Sequence, residues 1–284
     1  MRRGILMAGA ALVAAVTATG CGAGDEDTDR VITGTAPATP YRGPLYVPAQ
    51  HVDEDGPEAA RIESGAAGRA LECTGEIFSG GGPGEWSERD GGKTPEEGLE
   101  TYFDIEQPDV PRGGYRVERG EKDRVLFSLD VDGRTKVAVV VAKDRANAPG
   151  WGPEASAACD PSELPESFVA DQPYELWTDA GGNRLPYTRI HSYRGQEHCD
   201  WQDADFIALG DASYGRDPDG VLPDGALTAA YDGAARLPAD ARDTGYRHGD
   251  RALWRSADDP SRVYVRDADG VQAWPRVKDG FGCR

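Results

Sequence analysis

Arg124-Val125-Leu126-Phe127-Ser128-Leu129-Asp130-Val131-Asp132-Gly133-Arg134-Thr135-Lys136-Val137-Ala138-Val139-Val140-Val141-Ala142-Lys143 is the stretch on which the fold turns. Val125, Phe127 and Leu129 alternate with other residues, the period of a strand with one buried face. Asp132-Gly133 is a favoured two-residue hairpin turn, because both positions accept a left-handed backbone. The stretch therefore predicts strands over 124–130 and 134–143, with a third over 115–118 just upstream. Thr94-Pro95-Glu96-Glu97 precedes them and carries the marks of a helix start: a capping hydroxyl, Pro at the first helical position and Glu at the third. Leu99, Tyr102 and Phe103 share the inner face of that helix. A helix laid on one face of an antiparallel meander, with the other face toward solvent, predicts a small α+β unit.

Upstream of that helix, Ala59, Ile62, Ala66 and Ala70 fall on one face of a weak helix interrupted by Gly65 and Gly68, and Gly80-Gly81-Gly82-Pro83-Gly84 reads as a loop. Downstream, strands are expected over 174–178, 184–191, 205–210 and 252–256, so the C-terminal part is mainly β. Asp179-Ala180-Gly181-Gly182-Asn183 joins the first two. An internal echo adds a candidate duplicated hairpin: Tyr214-Gly215-Arg216-Asp217-Pro218-Asp219-Gly220-Val221 matches Tyr264-Val265-Arg266-Asp267-Ala268-Asp269-Gly270-Val271 at six of eight positions.

The N-terminus speaks to location. Met1-Arg2-Arg3 is a short positive segment, and the apolar and small residues 4–19 form the hydrophobic region of a signal peptide. That run ends at Gly20-Cys21 and turns acidic at Asp25-Glu26-Asp27, shorter than the roughly 20 apolar residues a membrane span needs. Ala18-Thr19-Gly20-Cys21 resembles the lipobox of bacterial lipoproteins, with Ala18 where Leu is usual. Arg2-Arg3-Gly4-Ile5-Leu6 resembles part of a twin-arginine signal, but no residues ahead of it complete the motif, so ordinary export is expected. The expected product is cut before Cys21 and held by lipid on that cysteine at the outer face of the cytoplasmic membrane.

Cysteine counting agrees. Five cysteines are odd for a secreted chain, and a lipidated Cys21 leaves four, Cys73, Cys159, Cys199 and Cys283. An oxidising compartment lets these form two disulfides. Three pairings exist; Cys73 with Cys159 and Cys199 with Cys283 is the one in which each bond closes one candidate domain. No C-x-x-C spacing supports zinc. The expected organisation is a signal peptide (1–20), a flexible lipid-anchored tether (21–56), an α+β domain (57–165) and a mainly β domain (166–284). Within the tether, Tyr41-Arg42-Gly43-Pro44-Leu45-Tyr46-Val47-Pro48 is more apolar than the rest, but a linker without fixed structure is the preferred reading.

Composition narrows the function. With 31 Lys and Arg against 50 Asp and Glu, the formal charge is −19. Nucleic acid and anionic headgroups are repelled by such a chain. Only 38% of residues are hydrophobic, and 37 Gly and 20 Pro mark a loop-rich protein with a modest core.

Catalytic motifs fall short. Gly91-Gly92-Lys93-Thr94 ends like a phosphate-binding loop, yet Ser87 stands where its first Gly belongs and Thr94 is used as a cap. Gly210-Asp211-Ala212-Ser213-Tyr214-Gly215 approaches a nucleophile elbow but has Asp211 in place of the first Gly, so Ser213 reads as a turn serine. Asp130-x-Asp132-Gly133 and its two echoes, at Asp217 and Asp267, lack the Glu that closes a calcium loop. The four histidines, His51, His191, His198 and His248, show no metal-ligand spacing, although His191 and His198 bracket a loop beside Cys199 and Asp200 where a metal or acid–base site would form if the rings met. Six tryptophans, Trp86, Trp151, Trp177, Trp201, Trp254 and Trp274, suit core packing first and stacking on envelope sugars second. No cofactor or metal is expected.

Thr94-Pro95-Glu96-Glu97-Gly98-Leu99, Asp123-Arg124-Val125-Leu126-Phe127, Gly133-Arg134-Thr135-Lys136-Val137-Ala138, Cys199-Asp200-Trp201, residues 238–246 and Ala273-Trp274-Pro275-Arg276 together resemble uncharacterised lipoproteins of actinobacteria, of the streptomycete type. The resemblance covers most of the chain after the tether and implies no activity and no catalytic residues. The expected function is accordingly a non-enzymatic surface lipoprotein that binds an envelope glycan or protein partner. An envelope hydrolase with an unrecognised site is the alternative, and a structural role in wall or spore-envelope assembly a third.

Overall fold

The structure is a computed structural model that describes residues 31, 37, 39–48, 50, 52–53, 56–82, 90–145 and 148–283. The signal peptide, Cys21, most of the tether, His51, Trp86 and Ser87 lie outside the described residues. In chain order the first part runs α1 (Pro57–Glu63), α2 (Gly65–Ala70), β1 (Ile77–Gly81), α3 (Pro95–Glu106), β2 (Arg116–Gly120), β3 (Arg124–Val131), β4 (Arg134–Arg145) and β5 (Ala148–Cys159). The second part contains α4 (Glu166–Ala170), β6 (Tyr174–Leu176), β7 (Ile190–Arg194), β8 (Asp205–Leu209), β9 (Ala212–Arg216), β10 (Arg242–His248), β11 (Arg251–Arg255), β12 (Arg262–Arg266) and β13 (Val271–Pro275). Strand outweighs helix, 39% against 15%, in three antiparallel sheets held with two disulfides.

β3 and β4 form the expected hairpin, with Asp132 at φ 52° and Gly133 at φ 73°. Those angles are the paired left-handed conformations of a type I′ turn, whose twist matches that of the strands it joins. The sheet around them is wider than the expected three strands, in the order β1-β5-β4-β3-β2. β5 contains Pro149, Gly150, Gly152 and Pro153 and no β-branched residue, so it carries no strand signal of its own. Pairing along β4, with irregular register near Val141 and Lys143, gives it its extended form. Gly80 and Gly81, expected in a loop, belong to the edge strand β1. A Cβ on Gly80 would come within 2.7 Å of the Ala60 carbonyl oxygen, so only Gly lets α1 lie this close.

α3 starts where expected, the Thr94 hydroxyl accepting from Glu97 N–H at 3.3 Å, while the Glu97 carboxylate takes the N–H of Lys93, one residue ahead of the usual capping-box partner. Leu99, Tyr102 and Phe103 join Val125, Phe127, Leu129, Val137 and Val139 in one buried cluster. The opposite face is not solvated, which corrects the expectation. Leu126, Ala138, Val140 and Ala157 pack there on Ala66, Ala67 and Ala70 of α2 and on Leu45. The run Val137–Ala142 is apolar on both sides, and a sheet with two apolar faces must be covered twice. The single helix expected before it is broken at Gly65, φ 54°, which turns α2 onto the sheet.

The same packing corrects the tether. Leu45 is 2% exposed, Tyr41 N–H is bonded to the Glu118 carboxylate, and the Arg124 guanidinium sits 4.6 Å from the Tyr46 ring centre. Residues 41–48 belong to the folded body, because the small side chains of α2 leave an apolar gap that Leu45 fills.

The remaining strands form two meanders, β6-β7-β8-β9 and β10-β11-β12-β13. Trp177, Ile190, Ile207 and Tyr214 meet Leu253, Val263, Val265 and Trp274 in one core between them. The strand expected over 184–191 starts only at Ile190; Arg189 and Ile190 N–H both bond the Pro186 carbonyl, and this turn places Tyr187, Thr188 and Arg189 outside the sheet. The hairpin echo reduces to a strand and an Asp-capped turn. After β12, Asp267 accepts from Asp269 and Gly270 N–H and the chain pairs back as β13; after β9, Asp217 accepts from Val221 and Leu222 N–H and the chain leaves the sheet. Leu164, Val169 and Tyr174 are buried in the same cluster as Leu99 and Phe127, so apolar packing continues across residue 165.

Candidate functional site

An open groove of about 1540 Å³ lies among the described residues. One wall is β1 with the N-terminal end of α1; the other is the loop 183–189, the Gly210 turn and Arg255 at the end of β11. Among the described residues β1 is the outermost strand and pairs only with β5. Alternate backbone N–H and C=O groups on its free side are left for another strand to use. Phe78, 37% exposed, stands on this edge with its ring 5.5 Å from that of Tyr187 in an edge-on arrangement.

The charges of the groove divide into committed and free. Asp160 spans the groove floor, accepting from Ser162 and Tyr187 N–H, each at 2.9 Å. Glu163 accepts from Thr74 N–H at 2.7 Å, Gly75 N–H at 2.9 Å and Lys136 Nζ at 2.6 Å. Burial works against its charge, but these donors outweigh burial and hold its carboxyl below the usual range. Glu63 bonds Val52 N–H at 3.2 Å. Arg184 donates to the Leu164 carbonyl at 3.0 Å and stands 3.6 Å from Glu166. Arg189 and Arg255 make no side-chain hydrogen bond or ion pair among the described residues, and both are exposed. In a chain of net charge −19, the groove therefore keeps two uncommitted guanidiniums, against Glu76 alone on the acidic side.

A smaller cavity of about 410 Å³ lies beside the second disulfide, walled by Tyr193, Trp201, Phe206 and Phe281. Trp201 stacks on Phe281 at 5.3 Å. His198 is exposed here, its Nε2 3.1 Å from Cys283 Sγ. His191 sits elsewhere: its ring is stacked at 3.7 Å on Tyr187, and its Nδ1 is 2.8 Å from the Tyr187 carbonyl oxygen. Burial lowers its pKa and favours the neutral ring, which the Tyr187 carbonyl and Asp160 only partly oppose. The two histidines weighed as a pair thus have separate partners and separate environments.

The other sequence candidates are committed to structure. Cys73 bonds Cys159, with Cα atoms 5.4 Å apart, and Cys199 bonds Cys283, at 6.1 Å. Among the described residues, the groups that could gather round a metal are His198 with Cys199 and Cys283, and Glu163 with Cys73 and Cys159; in both, the sulfurs are tied up as disulfides and offer no thiolate. Asp130 bonds Arg116 at 2.7 Å and Thr135 at 3.0 Å, leaving a hairpin turn with no calcium-like ligand set. Ser213 lies in β9 paired with Ala208, a strand residue rather than a turn one. Gly92 exchanges backbone hydrogen bonds with Trp151, which fixes it beside α3. Trp151, Trp177 and Trp274 are core residues, while Trp201 and Trp254 are partly exposed.

Sequence reasoning did not single out Phe78, Arg189 or Arg255. They come from three distant segments, and each in isolation is an ordinary surface residue. Comparison with known proteins finds no matching family model, no similar curated protein and no similar solved structure.

Proposed function

We propose that the chain is an exported lipoprotein of the actinobacterial kind it resembles, cut before Cys21 and anchored by lipid on that residue at the outer face of the cytoplasmic membrane. Its role there is to bind, in the groove beside β1, an extended acidic segment of an envelope protein. One observation carries the binding reading: a strand edge with no second partner among the described residues lines the same groove as Arg189 and Arg255, whose guanidiniums likewise have no side-chain partner among the described residues, in a strongly acidic chain. A peptide strand added to β1 satisfies the free backbone groups, and carboxylates on it meet the arginines in bidentate geometry. Phe78 and Tyr187 offer an aromatic surface for a neighbouring side chain. In this reading residues 57–165 and 166–284 are two units, each closed by one disulfide and joined through Leu164, Val169 and Tyr174.

The binding test is fluorescence anisotropy with labelled extended peptides bearing Asp and Glu, against the same peptides bearing Asn and Gln. Acidic peptides are expected to bind, and Arg189→Ala with Arg255→Ala to weaken them by about tenfold or more, equivalent to ~1.4 kcal/mol. Equal binding of the neutral peptides, or of the double variant, refutes the reading. Anchoring is tested separately by mass spectrometry of the mature N-terminus, where a diacylated Cys21 is expected and an unmodified, freely soluble product overturns the anchor.

A further inference from the structure

We propose that the Cys199–Cys283 disulfide is a thiol-exchange site for a small thiol, with His198 donating to the leaving sulfur of Cys283. The two disulfides are in unlike surroundings. Cys159 is fully buried at the end of β5, and beside it the Cys73–Gly75 segment is held down by Glu163. Cys199 closes a single 3₁₀ turn, Glu197–Cys199, and the next residue, Asp200, is left-handed at φ 60°. Cys283 lies past the last long-range backbone hydrogen bonds of the C-terminal segment, Val277 to Ser213 and Lys278 to Ala226. Beyond these, the described tail is held by a local turn from Phe281 to Lys278, by the ion pair of Arg276 with Asp279, by Phe281 packed on Trp201 and on the cluster of Ala204, Phe206 and Leu222, and by the disulfide itself. Both sulfurs belong to partly exposed residues, and the aromatic cavity of about 410 Å³ opens beside Cys283.

This geometry sets the direction of exchange. His198 Nε2, 3.1 Å from Cys283 Sγ, is placed to donate its N–H to that sulfur and to stabilise it as it takes the electron pair of the breaking bond. A thiolate RS⁻ attacks Cys199 Sγ, forming RS–S(Cys199), and Cys283 leaves as thiolate and takes a proton. A second RS⁻ attacks the mixed disulfide, releasing RSSR and leaving Cys199 as thiolate. Two thiols are oxidised and one protein disulfide is reduced. For a given attacking thiol, access and leaving-group stabilisation are among the quantities that set such rates, and both favour this bond over Cys73–Cys159. The consequence is local: the tail bearing Phe281 loses its covalent tie to Cys199 and keeps only the packing of Phe281 and the Arg276–Asp279 pair, while the sheets keep their own hydrogen bonds.

The experiment exposes the folded full chain to 2-mercaptoethanol at pH 7.5 without denaturant, traps free thiols with iodoacetamide at intervals, and maps them by mass spectrometry. Cys199 and Cys283 are expected to become modified at least about tenfold faster than Cys73 and Cys159, with the trapped adduct on Cys199. His198→Leu is expected to slow this opening severalfold, whereas His198→Gln, which keeps an N–H donor, recovers most of the rate. His198 is exposed, so neither variant disturbs the core. Equal opening of the two disulfides, earlier opening of Cys73–Cys159, adduct mainly on Cys283, or an unchanged rate in His198→Leu each overturns the proposal.

Discussion

Replacing Glu163 with Ala removes the acceptor on which three donors converge: Thr74 N–H, Gly75 N–H and Lys136 Nζ. Thr74 and Gly75 are exposed, so water takes over at those two amides for little loss. Lys136 is 5% exposed and keeps only the Glu72 carbonyl, at 2.8 Å. The cost is that of an ammonium left buried without its counter-charge, about 3 to 5 kcal/mol, and the relief available to water at the loop places it near ~3. Removing both charges, as Lys136→Met with Glu163→Leu, should cost less than the single change, because no uncompensated charge is left inside. The pH dependence follows from the depressed carboxyl. A folded-state value below the ordinary 4.5 means that the contribution is complete above 4.5 and is lost as pH falls through the lower folded value. Urea unfolding of wild type, single and double variants from pH 8 to pH 3 measures all three effects. A single-variant loss under about 1 kcal/mol at pH 7, a loss that does not shrink in acid, or a double variant worse than the single would refute the reasoning.

The packing of residues 41–48 predicts that Leu45→Ala costs about 2 to 5 kcal/mol in the same assay, since a side chain 2% exposed leaves a cavity against α2 and the sheet; a loss near zero would return the segment to the tether. Gly133→Val should lower stability by about 1 to 2 kcal/mol or more, because φ 73° is hostile to a β-branched residue, and thermal melting checks it. Burial lowers the pKa of both His191 and His248, Glu175 and Arg251 pulling the latter in opposite directions. Their stability contributions are therefore complete above the ordinary value of 6.5 and decline as pH falls through the lower folded values. NMR titration of the ring protons should give midpoints below 6.5 for both, and a midpoint above it would contradict the burial argument.

What was legible in the sequence is what neighbouring residues decide among themselves. Asp132-Gly133 accepts its two left-handed conformations wherever it stands, and Thr94 caps a helix with an amide three positions on, so β3, β4 and α3 could be read locally. β5 could not, because Pro149, Gly150, Gly152 and Pro153 prefer no strand until β4 presents a ladder to them. Leu45 was misread for the same reason, since nothing near it in sequence says that Ala66, Ala67 and Ala70 leave a gap of its size.

The groove is the extreme of that dependence. It exists because β1 pairs with β5 at the edge of the first sheet, while Arg189 is turned out by the Pro186 loop and Arg255 ends a strand of a different sheet. The placements of β1 and Arg255 rest on long-range pairings, and Arg189 is turned out by a local turn inside a stretch whose residue pattern reads as strand. What sequence does reveal is the background that makes the site matter. In a chain carrying 50 acids, many half-buried arginines are paired with an acid, as Arg247 is with Asp243 and Arg276 with Asp279, whereas several exposed ones, Arg194, Arg242 and Arg266 among them, have no such partner among the described residues. What sets Arg189 and Arg255 apart is their place in one groove beside a strand edge that has no second partner among the described residues, a surface where an acidic segment meets attraction rather than the repulsion an acidic chain imposes elsewhere.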